Sequence, residues 1–242
     1  MARTDDNSDH VPVTRAVDTK RRFVPPPTLV EAITEELRRR ILHGLFRPGE
    51  RITEERIVAE LGHSRPPVRE ALRLLERDGL LTAKPRRGVV VASLTPTDVR
   101  EIYDLRHALE ELAIELALPI DDPSKLKPVR LALEEMERAA TSGARDELPL
   151  LNLRFHQAVV RLAGNSRLDR SFDSLAGQLQ MCMAVNLRFR ERLSGDPAES
   201  VERHAVMARL LEAGDKEATK QAMRDHGDRS FLDNLEETID TV

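Results

Sequence analysis

Disulfide chemistry, aromatic stacking and membrane insertion are almost closed to this chain. Its 242 residues include one cysteine, Cys182, one tyrosine, six phenylalanines and no tryptophan. A single cysteine makes no internal disulfide and no cysteine-based zinc cluster, so any metal site must use histidine and oxygen ligands. So few aromatics disfavour stacking on single-stranded nucleic acid, and duplex DNA is the expected form if nucleic acid is a partner. No apolar run approaches the roughly 20 residues of a membrane span. The opening MARTDDNSDH lacks the apolar stretch of a secretory signal, so a cytoplasmic location and no membrane partner are expected.

What is present is charge, unevenly placed. The sequence is 40% apolar and 33% charged with a net charge of -4, the composition of a globular chain with room for two modest domains. Residues 28–92 hold 13 Lys+Arg against 10 Asp+Glu, a net of +3, whereas residues 93–242 hold 20 against 28, a net of -8. A basic module joined to an acidic one is expected when only the first meets phosphate.

Residues 1–27 are polar and end in Pro25-Pro26-Pro27, which predicts a flexible arm. Leu29, Ile33, Leu37 and Ile41 then recur every four residues, the period of a helix closed by Gly44 and Pro48-Gly49. A short helix is expected over 53–61, capped by Thr53 and ended by Gly62. A third should run from Ser64, as its cap, to about Asp78, with Val68, Leu72 and Leu75 buried and Gly79 as its stop. Leu80-Leu81-Thr82 and Val89-Val90-Val91 flank Lys84-Pro85-Arg86-Arg87-Gly88, the pattern of a β-hairpin with a basic tip. Two helices across a glycine turn followed by such a hairpin make a winged helix-turn-helix over 28–92.

Thr95 and Pro96 open the second domain, 93–242, as cap and first helical residue. Helical segments are predicted near 96–118, 123–141, 146–163, 166–192, 197–213 and 215–236, separated by Pro119, Gly143, Gly164-Asn165, Gly195 and Gly214-Asp215. No strand pattern occurs there. The expected class is mainly α, a winged helix-turn-helix followed by an all-helical antiparallel bundle.

Arg65, Arg69 and Arg73 share one face of the third helix, opposite its apolar stripe. Arginine can grip guanine O6 and N7 with two parallel hydrogen bonds, and the first turn of a recognition helix lies closest to base edges. Ser64 and Arg51 are better suited to phosphate. An isolated arginine row is more often a solvated, salt-bridged face, with Glu70 and Glu76 as available partners. The adjoining turn, the short preceding helix and the basic hairpin favour DNA.

The run Leu61-Gly62-His63-Ser64-Arg65-Pro66-Pro67-Val68-Arg69-Glu70-Ala71-Leu72, with Leu75-Glu76-Arg77-Asp78-Gly79-Leu80 and Arg86-Arg87-Gly88 after it, resembles the DNA-binding domain of the GntR family over about residues 28–92. That resemblance implies DNA contacts at Ser64, Arg65 and Arg69, and a wing tip at Arg87 and Gly88 whose glycine enters the minor groove. Pro66 departs from the pattern, replacing a residue able to contact DNA. Glu54 and Glu55 put acid where some relatives carry a base-contacting arginine, and no such contact is assigned to them.

In the second domain Asn152, His156, Val159 and Ala163 share one helical stripe, and His204 and His226 lie on the last two segments. Taken singly each histidine reads as a hydrogen-bonded core or surface residue. Together, three imidazoles and one oxygen from three helices suit a divalent ion, Zn²⁺ first with Ni²⁺ or Mn²⁺ next, whose binding should weaken below about pH 6 as the imidazoles protonate. Arg106, beside a stripe of Ile102, Leu105, Leu109, Leu112 and Leu116, either points into a pocket to bind a carboxylate or pairs with Glu110 four residues on. Asn186 and Arg188 are weaker pocket candidates on a helix expected to line the bundle.

Residues 96–236 resemble the FCD ligand-binding domain of FadR-type GntR regulators. Leu105-Arg106 through Glu110, Asn152-Leu153-Arg154-Phe155-His156, Gly164-Asn165, Glu202-Arg203-His204, Ala213-Gly214-Asp215 and Met223-Arg224-Asp225-His226 carry the likeness. It implies a metal held by Asn152, His156, His204 and His226 beside an effector, here a small organic acid. Asparagine in place of aspartate weakens the hold on a dication and strengthens the pull on an anionic effector. The function implied is a ligand-responsive regulator, more a repressor than an activator, that binds a palindromic operator as a homodimer. The rival reading is a metal-dependent hydrolase or isomerase, against which stands the lack of a glutamate placed beside the ligands in sequence. An architectural DNA protein would leave the inward polar set without a purpose.

Overall fold

The computed structural model describes residues 26–192 and 196–226, with side chains undescribed at 187–192 and 197. The expected arm (1–27) lies outside this range but for its last two residues, as do the side chain of Arg188 and the final stretch of the predicted 215–236 helix.

The first domain is a winged helix-turn-helix. Helix α1 (Leu29–Leu42) starts with a capping box in which Thr28 and Glu31 satisfy each other's backbone N–H groups. Helix α2 (Glu54–Leu61) is capped by Thr53 and closed by Gly62 at φ 69°, a left-handed turn that glycine adopts at least cost. Helix α3 (Arg65–Arg77) follows, with Val68, Ala71, Leu72 and Leu75 buried as its spacing requires. These pack with Ile33, Leu37, Ile41, Ile57, Leu80 and Val91 into one core.

Ser64 occupies the cap position of α3, but its side chain makes no capping hydrogen bond, contrary to expectation. The reason is covalent: a cap accepts from the N–H of the second or third helical residue, and these are Pro66 and Pro67, which have none. The hydroxyl is left exposed at the helix N-terminus.

The hairpin forms from β2 (Leu81–Lys84) and β3 (Gly88–Val91), antiparallel with Leu81 opposite Val91 and Lys84 opposite Gly88. A two-residue strand the sequence did not announce, β1 (Arg51–Ile52), pairs with the other edge of β3, Arg51 opposite Val90. Two residues carry no alternation to read. Only the folded hairpin supplies the ladder that makes them a strand.

The second domain is an all-helical bundle. Helix α4 (Pro96–Ala117) opens with a second capping box, Thr95 with Asp98. A 3₁₀ turn at Pro123–Leu126 leads into α5 (Lys127–Ser142), and α6 (Leu148–Arg161) follows. The single segment predicted over 166–192 is two helices, α7 (Ser166–Asp173) and α8 (Ala176–Arg192). No glycine or proline marks the break at Ser174-Leu175, where Leu175 turns into the core beside Phe172 and Leu179. Burial, not a local stop signal, ends α7. Helices α9 (Pro197–Ala213) and α10 (Lys216–His226) complete the described bundle.

Helix α4 splits its apolar stripe: Ile102 is buried and Leu109 half-buried. Leu105, Leu112 and Leu116 are 47%, 46% and 52% exposed, while Arg106 and Glu110 are buried. Periodicity locates an apolar stripe but does not say what covers it.

Helix α8 joins the domains. A Cβ added at Gly177 would lie 1.9 Å from the Asp78 carbonyl oxygen, so only glycine lets α8 reach the C-terminal end of α3. Arg38 clasps the same corner, donating to Asp78 at 2.7 Å and to Gln180 at 3.1 Å.

Candidate nucleic-acid interface and ligand centre

At the first site, α3 presents an exposed basic face. Arg65, Arg69 and Arg73 are all more than half exposed, and each lies near an acid: Arg65 Nη2 is 3.7 Å from Glu55, and Arg73 Nη1 is 3.6 Å from Glu70. Only Arg69 is held tightly. Its Nε and Nη2 donate to the two carboxylate oxygens of Glu54 at 2.7 and 3.0 Å. Those hydrogen bonds, with the charges of Arg65 and Arg73 behind them, keep the Glu54 carboxyl below its ordinary range.

The wing places the other predicted contacts together. Arg86 takes φ 63° and Gly88 φ 74° at the hairpin tip, and Lys84, Arg86, Arg87 and Gly88 are exposed. The Arg51 side chain runs past the tip, with Nε 3.7 Å from where a Gly88 Cβ would be. Strand β1 therefore delivers Arg51 to the wing, a proximity its place in the sequence did not reveal. A positive φ at a non-glycine residue costs roughly 1–2 kcal/mol, and Arg86 was not singled out because no residue type marks it.

The second site is a buried polar cluster built from four helices. His156 comes from α6, His204 from α9, His226 from the last turn of α10, and Arg106 with Glu110 from α4. One ring nitrogen from each histidine lies within 4.8 Å of the others. His204 Nδ1 is 2.7 Å from the Ser200 carbonyl; a carbonyl only accepts, so Nδ1 carries the proton and Nε2 keeps its lone pair. That Nε2 is buried without a hydrogen-bond partner, and so are His226 Nδ1 and Asn152 Oδ1.

His156 is contested. Arg106 Nη2 lies 2.7 Å from its Nε2, and Glu110 Oε1 lies 2.8 Å from its Nδ1, the latter poorly aligned for a hydrogen bond. Arg106 Nε donates to the same Glu110 oxygen at 2.8 Å. Of the two alternatives for Arg106, the pair with Glu110 is therefore formed, and the guanidinium also reaches the histidines. Glu110 went unremarked as a site residue, although its place four residues after Arg106 was visible.

Electrostatics holds all three imidazoles neutral. Burial, then the Arg106 cation, pushes His156 well below its ordinary value of 6.5; burial and the neighbouring histidines do the same to His226. Burial brings His204 down to about 3, against the pull of its Ser200 hydrogen bond. The expected weakening of metal binding below about pH 6 rested on ordinary histidine values, and the buried site moves proton competition to lower pH. Neutral imidazoles and partnerless buried acceptors fit a divalent cation. Asn186 on α8 also has a buried amide oxygen without a partner.

Comparison with known proteins places these two sites in a familiar frame. Residues 29–91 match the model of the bacterial regulatory proteins of the gntR family, and residues 101–229 match the FCD domain. The chain is 38% identical over 193 residues to the HTH-type transcriptional regulator YdhC of Bacillus subtilis (strain 168), covering 79% of this chain and 84% of that one. This chain belongs to the GntR family. The gluconate operon transcriptional repressor of the same organism is 28% identical over 219 residues, 88% of this chain and 89% of the relative. A solved GntR-type transcriptional regulator from Rhodococcus sp. RHA1 superposes with a TM-score of 0.64 at 27% identity, covering 87% of this chain and 96% of that structure. This GntR-family chain thus pairs a DNA-binding helix-turn-helix with an FCD effector domain, in a family of transcriptional regulators that includes repressors. No described helix is long and apolar enough to cross a membrane.

Proposed function

We propose that the protein is a ligand-responsive repressor that binds a palindromic operator as a homodimer and senses a small organic acid beside a divalent metal. The observation that carries the reading is the convergence of three neutral imidazoles and a buried arginine in a domain whose α8 rests on the end of the recognition helix.

On the DNA side, Arg65 and Arg69 meet base edges, Ser64 and Arg51 meet phosphate, and Arg87 with Gly88 forms the wing tip. The freed Ser64 hydroxyl and the nearness of Arg51 to Gly88 support this assignment. A single helix-turn-helix reads few base pairs, so useful specificity takes two half-sites and a two-fold protein. Leu105, Leu112 and Leu116, exposed on one face of α4 with Leu109 half-buried between them, offer a helical seam for the second copy.

On the sensing side, His156, His204, His226 and Asn152 hold the ion, with Zn²⁺ ahead of Ni²⁺ and Mn²⁺ for a nitrogen-rich set. The ion supplies a local positive charge to which a carboxylate is drawn. Arg106 adds a two-donor grip on the same anion, and Asn186 and Arg188 remain further effector candidates. Binding the ion through His156 Nε2 requires the Arg106 guanidinium to leave that nitrogen, and this links metal, effector and α4. The relative named for a gluconate operon belongs with a sugar acid, the same chemical class. The rival hydrolase reading needs a free general base. Among the described residues Glu110 is the carboxylate at the cluster, and its Oε1 is taken by Arg106.

The test is selection of duplexes from a random pool by the full-length protein, with sedimentation of the resulting complex. Two chains on one palindromic duplex are expected. A complex of one chain on a site without two-fold symmetry overturns the operator reading.

A further inference from the structure

The guanidinium group has two edges that can make paired hydrogen bonds. One is the side edge, Nε with Nη2, and the other is the end edge, Nη1 with Nη2. In Arg69 the side edge is spent on both oxygens of Glu54, at 2.7 and 3.0 Å. At the end edge, Nη1 has no hydrogen-bond partner among the described residues, on a side chain 54% exposed. The other two arginines of the row have no such clamp: their nearest acids stand at 3.6 and 3.7 Å.

We propose that Glu54 is a specificity-determining positioning residue, which clamps Arg69 by its side edge so that its end edge reads one guanine per half-site. The inference rests on the reading of α3 as the base-contacting helix proposed above. It separates three arginines that the sequence makes equivalent. A preorganised guanidinium loses less rotamer freedom on binding and arrives with the geometry that guanine O6 and N7 require. Its charge is already offset by Glu54, so it adds little to non-specific attraction for phosphate. Arg65 and Arg73 keep their mobility and their charge. The carboxylate that looked misplaced in a DNA-binding helix is the cause of discrimination at that position.

The experiment uses full-length protein, a duplex selected by it from a random pool, and a scrambled duplex of equal composition. Glu54→Gln keeps one acceptor but loses the charge and the second hydrogen bond; Glu54→Ala removes both. Each should move the melting temperature little, a water-screened pair contributing little to stability. Affinity for the selected duplex should fall about tenfold or more for Glu54→Ala and less for Glu54→Gln, while scrambled-duplex affinity is unchanged or rises. In an Arg69→Ala background the Glu54 substitutions should have no further effect. Replacing one guanine of each half-site by 7-deazaguanine should weaken the wild type and barely affect Glu54→Ala. Equal loss on both duplexes, or an unchanged ratio for Glu54→Ala while Arg69→Ala lowers it, overturns the clamp and leaves α3 as the reader. An unchanged ratio for Arg69→Ala itself overturns the reading of α3 along with it.

Discussion

Two of the molecule's Arg–Glu ion pairs sit in opposite surroundings. Arg69 and Glu54 meet on the face of α3, 54% and 28% exposed; Arg106 and Glu110 meet inside the second domain, 3% and 0% exposed. In the first place water screens both charges, so the pair contributes little to stability and the side chains remain available to a ligand. In the second, each charge has lost its hydration and depends on the other, so the pair is costly to break. The comparison teaches that one domain leaves such a pair open to water and to a ligand, and the other buries it as internal structure.

Acid separates the two regions most strongly. As pH falls through 6.5, an unfolded chain protonates its histidines while the buried imidazoles stay neutral, His204 until about 3. Their contribution is complete above 6.5 and is lost as pH drops toward 3, at about 1.4 kcal/mol per pH unit for each histidine. The lowered carboxylates of the surface pairs, such as Glu54, exchange only below 4.5, so between 6.5 and 4.5 the histidines act alone. Tyr103 is the one tyrosine and is buried beside Arg106, and its fluorescence reports the second domain without interference. In metal-free protein its urea midpoint should fall steadily below pH 6.5; a midpoint flat to pH 4.5 breaks the contrast.

Removing the buried cation comes next. Arg106→Ala should cost about 3–5 kcal/mol by leaving the buried Glu110 side chain without its partner, against less than about 1 kcal/mol for Arg69→Ala, both read by urea unfolding. Equal losses would mean that burial does not set the value of these pairs. With Arg106 gone, a dication faces one less positive charge, so the apparent affinity for Zn²⁺ in calorimetry should rise.

Metal loading sharpens the same contrast. At a hundredfold excess over the dissociation constant, one ion per chain should stabilise the second domain by about 2.7 kcal/mol, and His204→Ala should abolish both the bound metal and the gain. No metal by elemental analysis after supplementation, with a melting temperature indifferent to chelator, would make the cluster a polar core.

The smallest effects belong to the open surface. Arg65→Ala should lose about 1–3 kcal/mol of discrimination between the selected and scrambled duplexes, whereas Arg51→Ala should weaken both alike. Filter binding at fixed salt separates the two patterns, and an unchanged ratio for Arg65→Ala removes it from the base-reading set.

The sequence by itself determined the elements whose causes are local. Helices bounded by Thr53, Gly62, Thr95 and Gly214 were readable because caps and left-handed glycines act within a turn, and the stripe of Val68, Leu72 and Leu75 followed from period alone. The resemblance in the recognition helix and in the three histidine segments pointed to both sites. Only the tertiary structure decided what depends on a distant partner. Arg51 becomes a strand residue beside Gly88 because β3 is there to pair with it, and the break between α7 and α8 exists because Leu175 is buried. Leu105, Leu112 and Leu116 face outward while Arg106 and Glu110 face in. Residues up to 120 positions apart in the chain, Arg106 to His226, share one cluster. Local patterns fix backbone hydrogen bonds within a few residues; which face is buried, and which charges must find each other out of water, is settled only when the helices pack.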